Sequence, residues 1–308
     1  VKRLIGMFAF LVWDRQERRL TLVRDRLGIK PLYWTRDGER FFFASELKAI
    51  RVSRIGWQPE LDSNALASYV RLNYVPNPHC IYRGVSQLPP GAMLSIDTSG
   101  EPRLSHYWTL DDIVREGQAA RFAGGEEEAV DALETLLSDA VRRRMVADVP
   151  LGAFLSGGID SSTVLALMQA NSSRPVRSFS IGFHESGFDE AKQAAEVARH
   201  LGTDHTELYV DARAALNVIP RLPEIFDEPF SDSSQIPTYL VSQMTRGHVT
   251  VALSGDGGDE MFAGYNRYLN ARAANVVLET VPKAFRVIGA GMLEAVPPAT
   301  WDLIGNFV

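Results

Sequence analysis

One stretch near the middle of the chain constrains the fold more than any other, namely Pro150-Leu-Gly-Ala-Phe-Leu-Ser-Gly-Gly-Ile-Asp-Ser-Ser-Thr163. It predicts a buried apolar strand, then a Ser-Gly-Gly loop, then a helix that starts near Asp160 and continues through Gln169. The N–H groups of such a loop and of the helix's first turn converge on one point, where the helix dipole adds positive charge. The stretch therefore predicts a binding site for an anion such as a phosphate.

The side chains of this loop suit a phosphate as well as its backbone does. Gly157 and Gly158 allow the backbone to approach an anion without a Cβ in the way. Three hydroxyls can donate to phosphate oxygens, those of Ser156, Ser161 and Ser162. Asp160 would repel a bare phosphate, so its presence suggests a bridging Mg²⁺. A Ser-Gly-Gly turn alone is also an ordinary strand-to-helix connection. The pattern is neither a Walker A loop, because no lysine follows, nor G-x-G-x-x-G.

A second glycine loop follows a second apolar strand. Val249-Thr-Val-Ala-Leu253 predicts the strand, and Ser254-Gly-Asp-Gly-Gly-Asp-Glu260 predicts the loop and the start of a helix. If both strands belong to one parallel sheet, their loops meet at the same edge. Asp160 and Asp259 could then hold one Mg²⁺, which prefers one or two carboxylates together with phosphate oxygens and water. Taken alone, the second loop is equally typical of a calcium-binding or plain acidic turn.

Composition restricts the class of protein. The 308 residues favour two domains, and 45% apolar and 23% charged residues are ordinary for a globular protein. The net charge of −6, with no basic stretch to offset it, argues against nucleic acid as a partner. No apolar run has the length of a membrane span. The single cysteine, Cys80, fits a reducing, cytoplasmic compartment and predicts a small buried side chain rather than a nucleophile.

The first fifty residues predict antiparallel strands and turns rather than a parallel sheet. The strands are expected at Gly6 to Trp13, Leu20 to Val23, Pro31 to Trp34 and Phe41 to Ala44, with a hairpin turn at Arg36 to Glu39. Between them, Asp25 is flanked by Arg24 and Arg26. The simplest interpretation from these residues alone is a solvated ion cluster.

Residues 111–126 are polar and rich in Gly and Glu, which predicts a linker. Beyond it the pattern changes to alternating helices and strands, typical of right-handed βαβ units and a parallel sheet. An amphipathic helix is expected from Glu128 to Met145, with Val130, Leu133 and Val141 on its apolar face. Further helices are expected at Glu190 to Leu201, Ala212 to Ile219 and Tyr239 to Gly247, and further strands at Val176 to Phe183 and His205 to Val210.

The two glycine loops carry a resemblance to a known family. Ser-Gly-Gly-Ile-Asp-Ser-Ser resembles the pyrophosphate-binding loop of the ATP pyrophosphatases. Together with Leu-Ser-Gly-Asp-Gly-Gly-Asp-Glu and the following Gly-Tyr, it resembles the glutamine-hydrolysing asparagine synthetases of the B type. Near the N-terminus, Gly-Met-Phe-Ala-Phe, Val-Arg-Asp-Arg-Leu-Gly-Ile-Lys-Pro-Leu-Tyr and Ala-Ser-Glu-Leu-Lys-Ala are similar to the second half of that family's glutaminase domain. The resemblance covers nearly the whole chain.

The resemblance implies a fold in two parts. Residues 1–110 would be the C-terminal half of an Ntn-type α+β glutaminase (glutamine amidotransferase) domain with antiparallel sheet layers. Residues 127–308 would be an α/β ATP-pyrophosphatase domain, a doubly wound parallel sheet of the adenine nucleotide α-hydrolase type, incomplete at its C-terminus. The chain begins with Val and stops without a terminal signal, which predicts a fragment cut at both ends.

The resemblance also implies roles for individual residues. Asp25 would bind the α-amino group of glutamine, Asp256 would support formation of a β-aspartyl-AMP intermediate, and Asp160 and Asp259 would carry Mg²⁺. The residues that would bind ATP are Leu155, Ser156, Gly157, Gly158, Asp160, Ser161, Ile181, Ser254 and Gly255.

The implied activity is ATP-dependent conversion of aspartate to asparagine with ammonia from glutamine, releasing AMP and pyrophosphate. The implied partners are small-molecule substrates and, as in the family, a second copy in a homodimer. The alternatives are a relative that amidates another carboxylate, such as a sugar acid, and a fragment that only binds nucleotide. A family cysteine nucleophile is replaced by Val1, so this polypeptide is expected to lack glutaminase activity. No arginine near Asp232 to Pro237 marks a site for the acceptor carboxylate.

Overall fold

The computed structural model describes residues 1–53, 57–183, 190–262, 264–297 and 300. The chain divides into two compact units. The first comprises Val1–Leu136, Ile181–Asp189 and Leu208–Gly247, and the second comprises Leu137–Ser180, Glu190–Glu207 and the chain from His248 onward. Each unit is described by itself below.

The first 106 residues form two antiparallel sheets. Their strands are β1 (Ala9–Asp14), β2 (Arg19–Arg24), β3 (Tyr33–Asp37), β4 (Arg40–Ala44), β5 (Val85–Gln87), β6 (Ala92–Ile96) and β7 (Pro102–His106). One sheet has the order β1-β2-β6-β7 and the other β4-β3-β5. All of these pairings are antiparallel. The expected antiparallel arrangement and hairpin are confirmed. In the hairpin, Asp37 pairs with Arg40 and Gly38 takes a φ of 59°, which glycine adopts readily.

Three helices accompany these sheets, α1 (Leu47–Ser53), α2 (Ser63–Leu72) and α3 (Leu110–Ala119). Helix α3 occupies much of residues 111–126, the segment for which the sequence predicts a linker. The Thr109 side chain accepts a hydrogen bond from the Asp112 N–H at 3.2 Å, and Asp111 and Asp112 lie in the first turn. A capped N-terminus with acidic residues beside the positive end of the dipole stabilises a helix. The glycine and glutamate content of this segment concealed that signal.

The remainder of the chain alternates strands with helices. The strands are β8 (Leu151–Phe154), β9 (Arg177–Phe183), β10 (Asp204–Val210) and β11 (Val251–Leu253). The helices are α4 (Glu126–Arg144), α5 (Ile159–Ala170), α6 (Ala191–Leu201), α7 (Ala212–Val218), α8 (Leu222–Ile225), α9 (Gln235–Arg246), α10 (Gly258–Phe262), α11 (Asn266–Thr280) and α12 (Lys283–Glu294), with a 3₁₀ turn at Ile219–Arg221. The sheet order is β10-β9-β8-β11, and β8 pairs in parallel with both β9 and β11. The expected parallel pairing is confirmed.

Two helices differ in detail from the expectation. Helix α9 begins at Gln235 rather than Tyr239. Pro237 does not prevent this, because a first-turn N–H has no acceptor within the helix. In α4, Val141 is buried, whereas Val130 and Leu133 are 57% and 38% exposed. The apolar face of α4 is therefore buried at its C-terminal end and not along its whole length.

Apolar side chains behind the first glycine loop form the core of the second unit. Leu165 and Met168 on α5 pack with Ala153 and Leu155 and with Leu253 of β11. Leu165 is fully buried. Burial of a leucine side chain contributes about 1.5–3 kcal/mol, so this cluster fixes α5 against the strands that carry both loops. Among the described helices, none combines the length and the hydropathy needed to cross a membrane.

Candidate functional site

The first glycine loop lies between β8 and α5, as the sequence predicts. Gly158 occupies the N-cap of α5 and supplies no side-chain cap. The first N–H groups of this 12-residue helix therefore keep their capacity to bind an anion. Ser156 and Gly158 are exposed, so the loop is accessible from solvent.

Hydrogen bonds between serines hold the loop in shape. The Ser156 and Ser161 hydroxyl oxygens lie 2.9 Å apart, and the Ser161 hydroxyl also accepts from the Ser156 N–H at 3.2 Å. The Gly158 N–H donates to the Ser156 hydroxyl at 3.3 Å. The Ser162 hydroxyl is buried and has no hydrogen-bond partner among the described residues. A buried donor without a partner is costly, so a hydroxyl next to the loop retains bonding capacity.

Gly157 fits the loop closely against helix α6. Its φ is +80°, and a Cβ at this position would come within 2.9 Å of the Ala194 backbone nitrogen. A side chain is therefore excluded by both backbone conformation and space. Gly157, which the sequence predicts to allow close approach of an anion, therefore also allows the loop to pack closely against α6.

The second glycine loop meets the first at the same edge of the sheet. Leu253, the last residue of β11, is in register with Ala153 of β8 in a parallel pair, so both loops leave the sheet side by side. A Cβ on Gly255 would lie 2.6 Å from the Ser161 backbone nitrogen. The carboxylate of Asp160 lies directly against Gly258, leaving no room for a side chain there. The structure thus brings together the two motifs that the sequence separates by almost one hundred residues.

The acidic side chains of the second loop have different partners. Asp256 accepts a hydrogen bond from the Ser254 hydroxyl at 2.9 Å and is exposed. The Asp259 carboxylate lies against Gly264. Glu260 accepts from the Tyr265 hydroxyl at 2.8 Å, and this bond lowers the pKa of Glu260.

These residues fit a magnesium ion in their chemistry. Asp160 touches Gly258, the residue before Asp259, so carboxylates from both loops are present at one edge of the sheet. Two carboxylates beside serine hydroxyls match the oxygen ligands of Mg²⁺, which completes its shell with phosphate and water. No group of three or more His, Cys, Asp or Glu side chains suited to a metal occurs in the part of the chain that the structure describes.

Leu155 and Ile181, both expected to bind ATP, have side chains in separate clusters. Leu155 is 2% exposed and packs in the core behind the first loop, while its N–H donates to the Phe179 carbonyl at 2.8 Å. Ile181 is half-buried and packs against the cluster of Val210, Val218 and Leu240.

Asp25 is buried, which corrects the interpretation of a solvated ion cluster. It is 1% exposed, and its carboxylate accepts the N–H groups of Phe8, Ile29 and Lys30 at 3.2, 3.0 and 2.9 Å. A carboxylate has about four acceptor positions, so three such bonds leave capacity for about one further donor. The turn after β2 folds around this side chain, and a local run of charges does not reveal that.

Arg24, also expected in that solvated cluster, binds carbonyl oxygens instead. It is 5% exposed, and its guanidinium donates to the carbonyls of Gly28, Lys30 and Leu88 at 2.7, 2.9 and 2.6 Å. It also donates to the Asn77 side-chain oxygen at 3.0 Å. Burial lowers the pKa of Arg24. Arg24 therefore fixes the turn that surrounds Asp25.

Sequence reasoning missed Glu228, a half-buried carboxylate in the first unit. It accepts hydrogen bonds from the Ile81 N–H at 2.7 Å, the Tyr33 hydroxyl at 3.0 Å and the Gln87 side-chain amide at 2.6 Å. Burial raises the pKa of Glu228, and the hydrogen bonds from Ile81 and Tyr33 oppose that rise. The sequence offers a weak signal, a Phe-Asp-Glu-Pro-Phe segment in which two acidic residues lie between aromatic ones.

Cys80 is 2% exposed, as its expected structural role requires. Burial raises the pKa of its thiol well above the usual range. A thiol that stays protonated is a poor nucleophile.

Comparison with known proteins divides the chain into two matches. Residues 132–302 match the model of the asparagine synthase family, and residues 1–108 match the glutamine amidotransferase domain. The chain is therefore a glutaminase-type region followed by an asparagine synthase region, with antiparallel sheets in the first and a parallel sheet in the second.

Curated relatives agree with both matches. A putative glutamine-hydrolysing asparagine synthetase of Methanocaldococcus jannaschii is 39% identical over 308 residues, which is 99% of this chain and 57% of that protein. Asparagine synthetase (glutamine-hydrolysing) 1 of Bacillus subtilis is 36% identical over 86% of this chain and 40% of its own length. An amidase, chyE, of Penicillium rubens is 30% identical over 87% of this chain and 41% of its own length. The chain thus spans about half the length of these relatives.

The asparagine synthase match covers more than half of the chain and includes both glycine loops and the strands that carry them. The chain belongs to the asparagine synthase family.

Proposed function

We propose that the protein is an ATP-dependent amidotransferase that converts aspartate to asparagine. In this proposal the aspartate side chain attacks the α-phosphorus of ATP to give β-aspartyl-AMP and pyrophosphate. Ammonia released from glutamine then displaces AMP. Two curated relatives named as glutamine-hydrolysing asparagine synthetases support the proposal, and so do both family matches.

One observation carries the proposal, the contact between the two glycine loops. Gly255 lies against the backbone of Asp160 and Ser161, and Gly258 lies against the Asp160 carboxylate. This contact combines the N-terminus of α5, serine hydroxyls and carboxylates from both loops at one sheet edge. Such a set can bind a triphosphate together with its metal ion.

Each residue of the first loop has a role in this proposal. The backbone N–H groups of Gly157, Gly158 and the first turn of α5, with the Ser156 and Ser161 hydroxyls, would bind the β- and γ-phosphates, which leave as pyrophosphate. Asp160 and Asp259 would hold Mg²⁺, which supplies charge neutralisation for the departing pyrophosphate. Donors fixed in advance stabilise developing negative charge without having to reorganise.

The residues expected around the nucleoside and the acyl group complete the site. Ser254 and Gly255 would contact the nucleotide, and the backbone at Leu155 and the side chain of Ile181 would lie beside adenine. Asp256 would support formation of the acyl-adenylate. The Ser254 hydroxyl donates to Asp256 and so fixes its carboxylate.

The glutaminase-type region supplies a glutamine site in the same proposal. Asp25 would bind the α-amino group of glutamine through its remaining acceptor capacity, since a buried carboxylate pairs strongly with an ammonium. We place the Ntn-type glutaminase part at residues 1–110 and the ATP-pyrophosphatase part, of the doubly wound type, at residues 127–308.

Pyrophosphate release tests the proposal. The whole protein is given ATP, Mg²⁺ and free ammonia with aspartate or with other carboxylic acids, in wild-type form and as Asp160→Ala. The proposal predicts release that depends on aspartate and falls at least about a hundredfold in the variant, because a metal ligand is lost. Release with a different acid alone would refute asparagine as the product, and wild-type release unchanged in Asp160→Ala would refute the assigned site.

A further inference from the structure

A short segment between α8 and α9 is bound to the glutaminase-type region at three points. Asp227 accepts from the Leu47 N–H at 2.8 Å, at the start of α1. Glu228 binds three donors described above. The Ser231 N–H donates to the Asn73 carbonyl, at the end of α2, at 2.7 Å. The segment 227–231 falls within the asparagine synthase match, whereas the partners named here fall within the glutamine amidotransferase match.

Glu228 has the most demanding set of partners of the three. The three hydrogen-bond partners named above are all donors, and one oxygen of Glu228 binds both Tyr33 and Gln87. A carboxylate satisfies such a set because it only accepts hydrogen bonds. An amide in its place would direct an N–H₂ group at a donor. The position therefore discriminates Glu from Gln.

Two short paths lead from Glu228 to Asp25. Tyr33 begins β3 three residues after Lys30, whose N–H binds the Asp25 carboxylate. Gln87 ends β5 next to Leu88, whose carbonyl accepts from the Arg24 guanidinium. The Leu88 N–H donates to the Leu32 carbonyl at 2.8 Å, which joins the two paths. Glu228 thus fixes both chain segments that support the turn around Asp25.

On its other side, the segment leads directly into helix α9. The Gln235 side chain donates to the carbonyls of Phe230 and Asp232 at 2.7 and 3.0 Å, which connects the segment to the first residue of the helix. Phe226 and Phe230 flank Glu228 in the sequence, and their rings pack edge to face with centroids 4.9 Å apart. Packing of these two rings therefore opposes a displacement of Glu228.

We propose that Glu228 is a positioning residue for glutamine use: through Tyr33 and Gln87 it holds the turn that carries Asp25 in its glutamine-binding shape. The inference rests on the proposed function, because it takes Asp25 as the glutamine site. Loss of the carboxylate raises the Kd for glutamine, while synthesis from free ammonia continues because the donors that bind Glu228 lie in the glutamine amidotransferase match.

Isothermal titration with glutamine and, separately, pyrophosphate release with ammonia test this inference on the whole protein. Glu228→Gln is expected to raise the Kd for glutamine at least about tenfold, since bonds to a charged acceptor are lost, and to change ammonia-supported kcat less than about twofold. Glu224→Gln, an exposed carboxylate in the neighbouring helix α8, is the matched control and leaves both unchanged. Tyr33→Phe, which removes one hydroxyl, raises the Kd for glutamine by a smaller factor and replaces Glu228→Gln if that variant does not fold.

A reciprocal exchange distinguishes positioning from simple damage. In Glu228→Gln with Gln87→Glu, the amide at 228 donates to the carboxylate at 87, and at least half of the lost glutamine affinity returns. Equal losses of glutamine affinity and of ammonia-supported kcat, no recovery in the double variant, or a wild-type protein that binds no glutamine would overturn the inference while leaving the proposed synthesis intact. A wild-type protein that releases no pyrophosphate from ATP with aspartate and ammonia would refute the proposed function.

Discussion

The contact between the two glycine loops can be disturbed by one methyl group, in Gly255→Ala. The new Cβ would lie 2.6 Å from the Ser161 nitrogen and 2.9 Å from both the carbonyl carbon and the Cβ of Asp160. An ordinary contact begins at 3.4 Å, so the loops must separate by at least about 0.8 Å. Two of these three atoms are backbone, which cannot turn away as a flexible side chain could.

The size of the effect follows from overpacking. An extra methyl group forced into a packed interior costs about 1–3 kcal/mol. If that cost falls on the arrangement that binds ATP, kcat/KM for ATP decreases about 5- to 150-fold. We therefore expect Gly255→Ala to lower aspartate-dependent ATP–pyrophosphate exchange within this range, with a modest decrease in Tm.

Two other glycines separate steric displacement from other effects. Gly257 lies in the same loop with a φ of +94°, and within the described part of the chain no atom lies within 4 Å of its Cβ position. Gly257→Ala therefore introduces backbone strain without a clash. Gly289, in α12, has an equally open Cβ position as far as the structure describes. Gly289→Ala should leave exchange unchanged and raise Tm slightly, because alanine favours helix.

Isothermal titration with a non-hydrolysable ATP analogue shows which step is affected. The reasoning requires weaker nucleotide binding in Gly255→Ala than in either control. Wild-type exchange and wild-type nucleotide affinity in a folded Gly255→Ala protein would show that contact between the loops does not build the site.

Three further predictions concern other parts of the molecule. Asp25→Asn should raise the Kd for glutamine at least about tenfold with little change in ammonia-supported synthesis, because the charge that pairs with an ammonium is lost. Asp14→Asn, at the exposed end of β1, is the control, and equal glutamine affinity of the two variants would contradict the assignment. Burial lowers the pKa of His205 below 6.5, so the folded protein favours the neutral ring. The contribution of His205 to stability is therefore present above pH 6.5 and is lost as the pH falls through the folded-state pKa. Urea unfolding between pH 7.5 and 5 should show this loss of stability, which should be absent in His205→Gln but present in His79→Gln. Leu165→Ala should lower the free energy of unfolding by about 2–5 kcal/mol. Leu136→Ala, at a residue 69% exposed, should change the free energy of unfolding by less than about 0.5 kcal/mol. Equal denaturation midpoints of the two variants would show that the core behind the first loop is misassigned.

The sequence predicts the parts of this fold that depend on local pattern. Both glycine loops, their strands and the parallel pairing of β8 with β11 follow from apolar runs that end in Ser-Gly, because a strand and the turn after it are encoded by neighbouring residues. The antiparallel strands before residue 50 follow for the same reason. The sequence predicts the start of α9 four residues too late, at Tyr239, because Pro237 is compatible with a helix only in its first turn.

What the sequence does not reveal depends on partners distant in the chain. The charges of Arg24 and Asp25 suggested a solvated cluster, but carbonyls as far away as Leu88 bind the guanidinium and backbone N–H groups surround the carboxylate. Glu228 finds its donors 141 to 195 residues away. No local periodicity encodes such contacts, and a buried charge is recognised only when all of its partners are known.

The return of the chain to the first unit for Leu208–Gly247 has a consequence for recombination between family members. A crossover in the interval between the two family matches would take Tyr33 and Gln87 from one parent and Glu228 from the other. Two parents that satisfy this trio with different residues would then give a hybrid with mismatched donors, although each inherited region is intact. Viable chimaeras should therefore come from crossovers that carry residues 208–247 together with the N-terminal region, and a library selected for asparagine prototrophy would show this linkage.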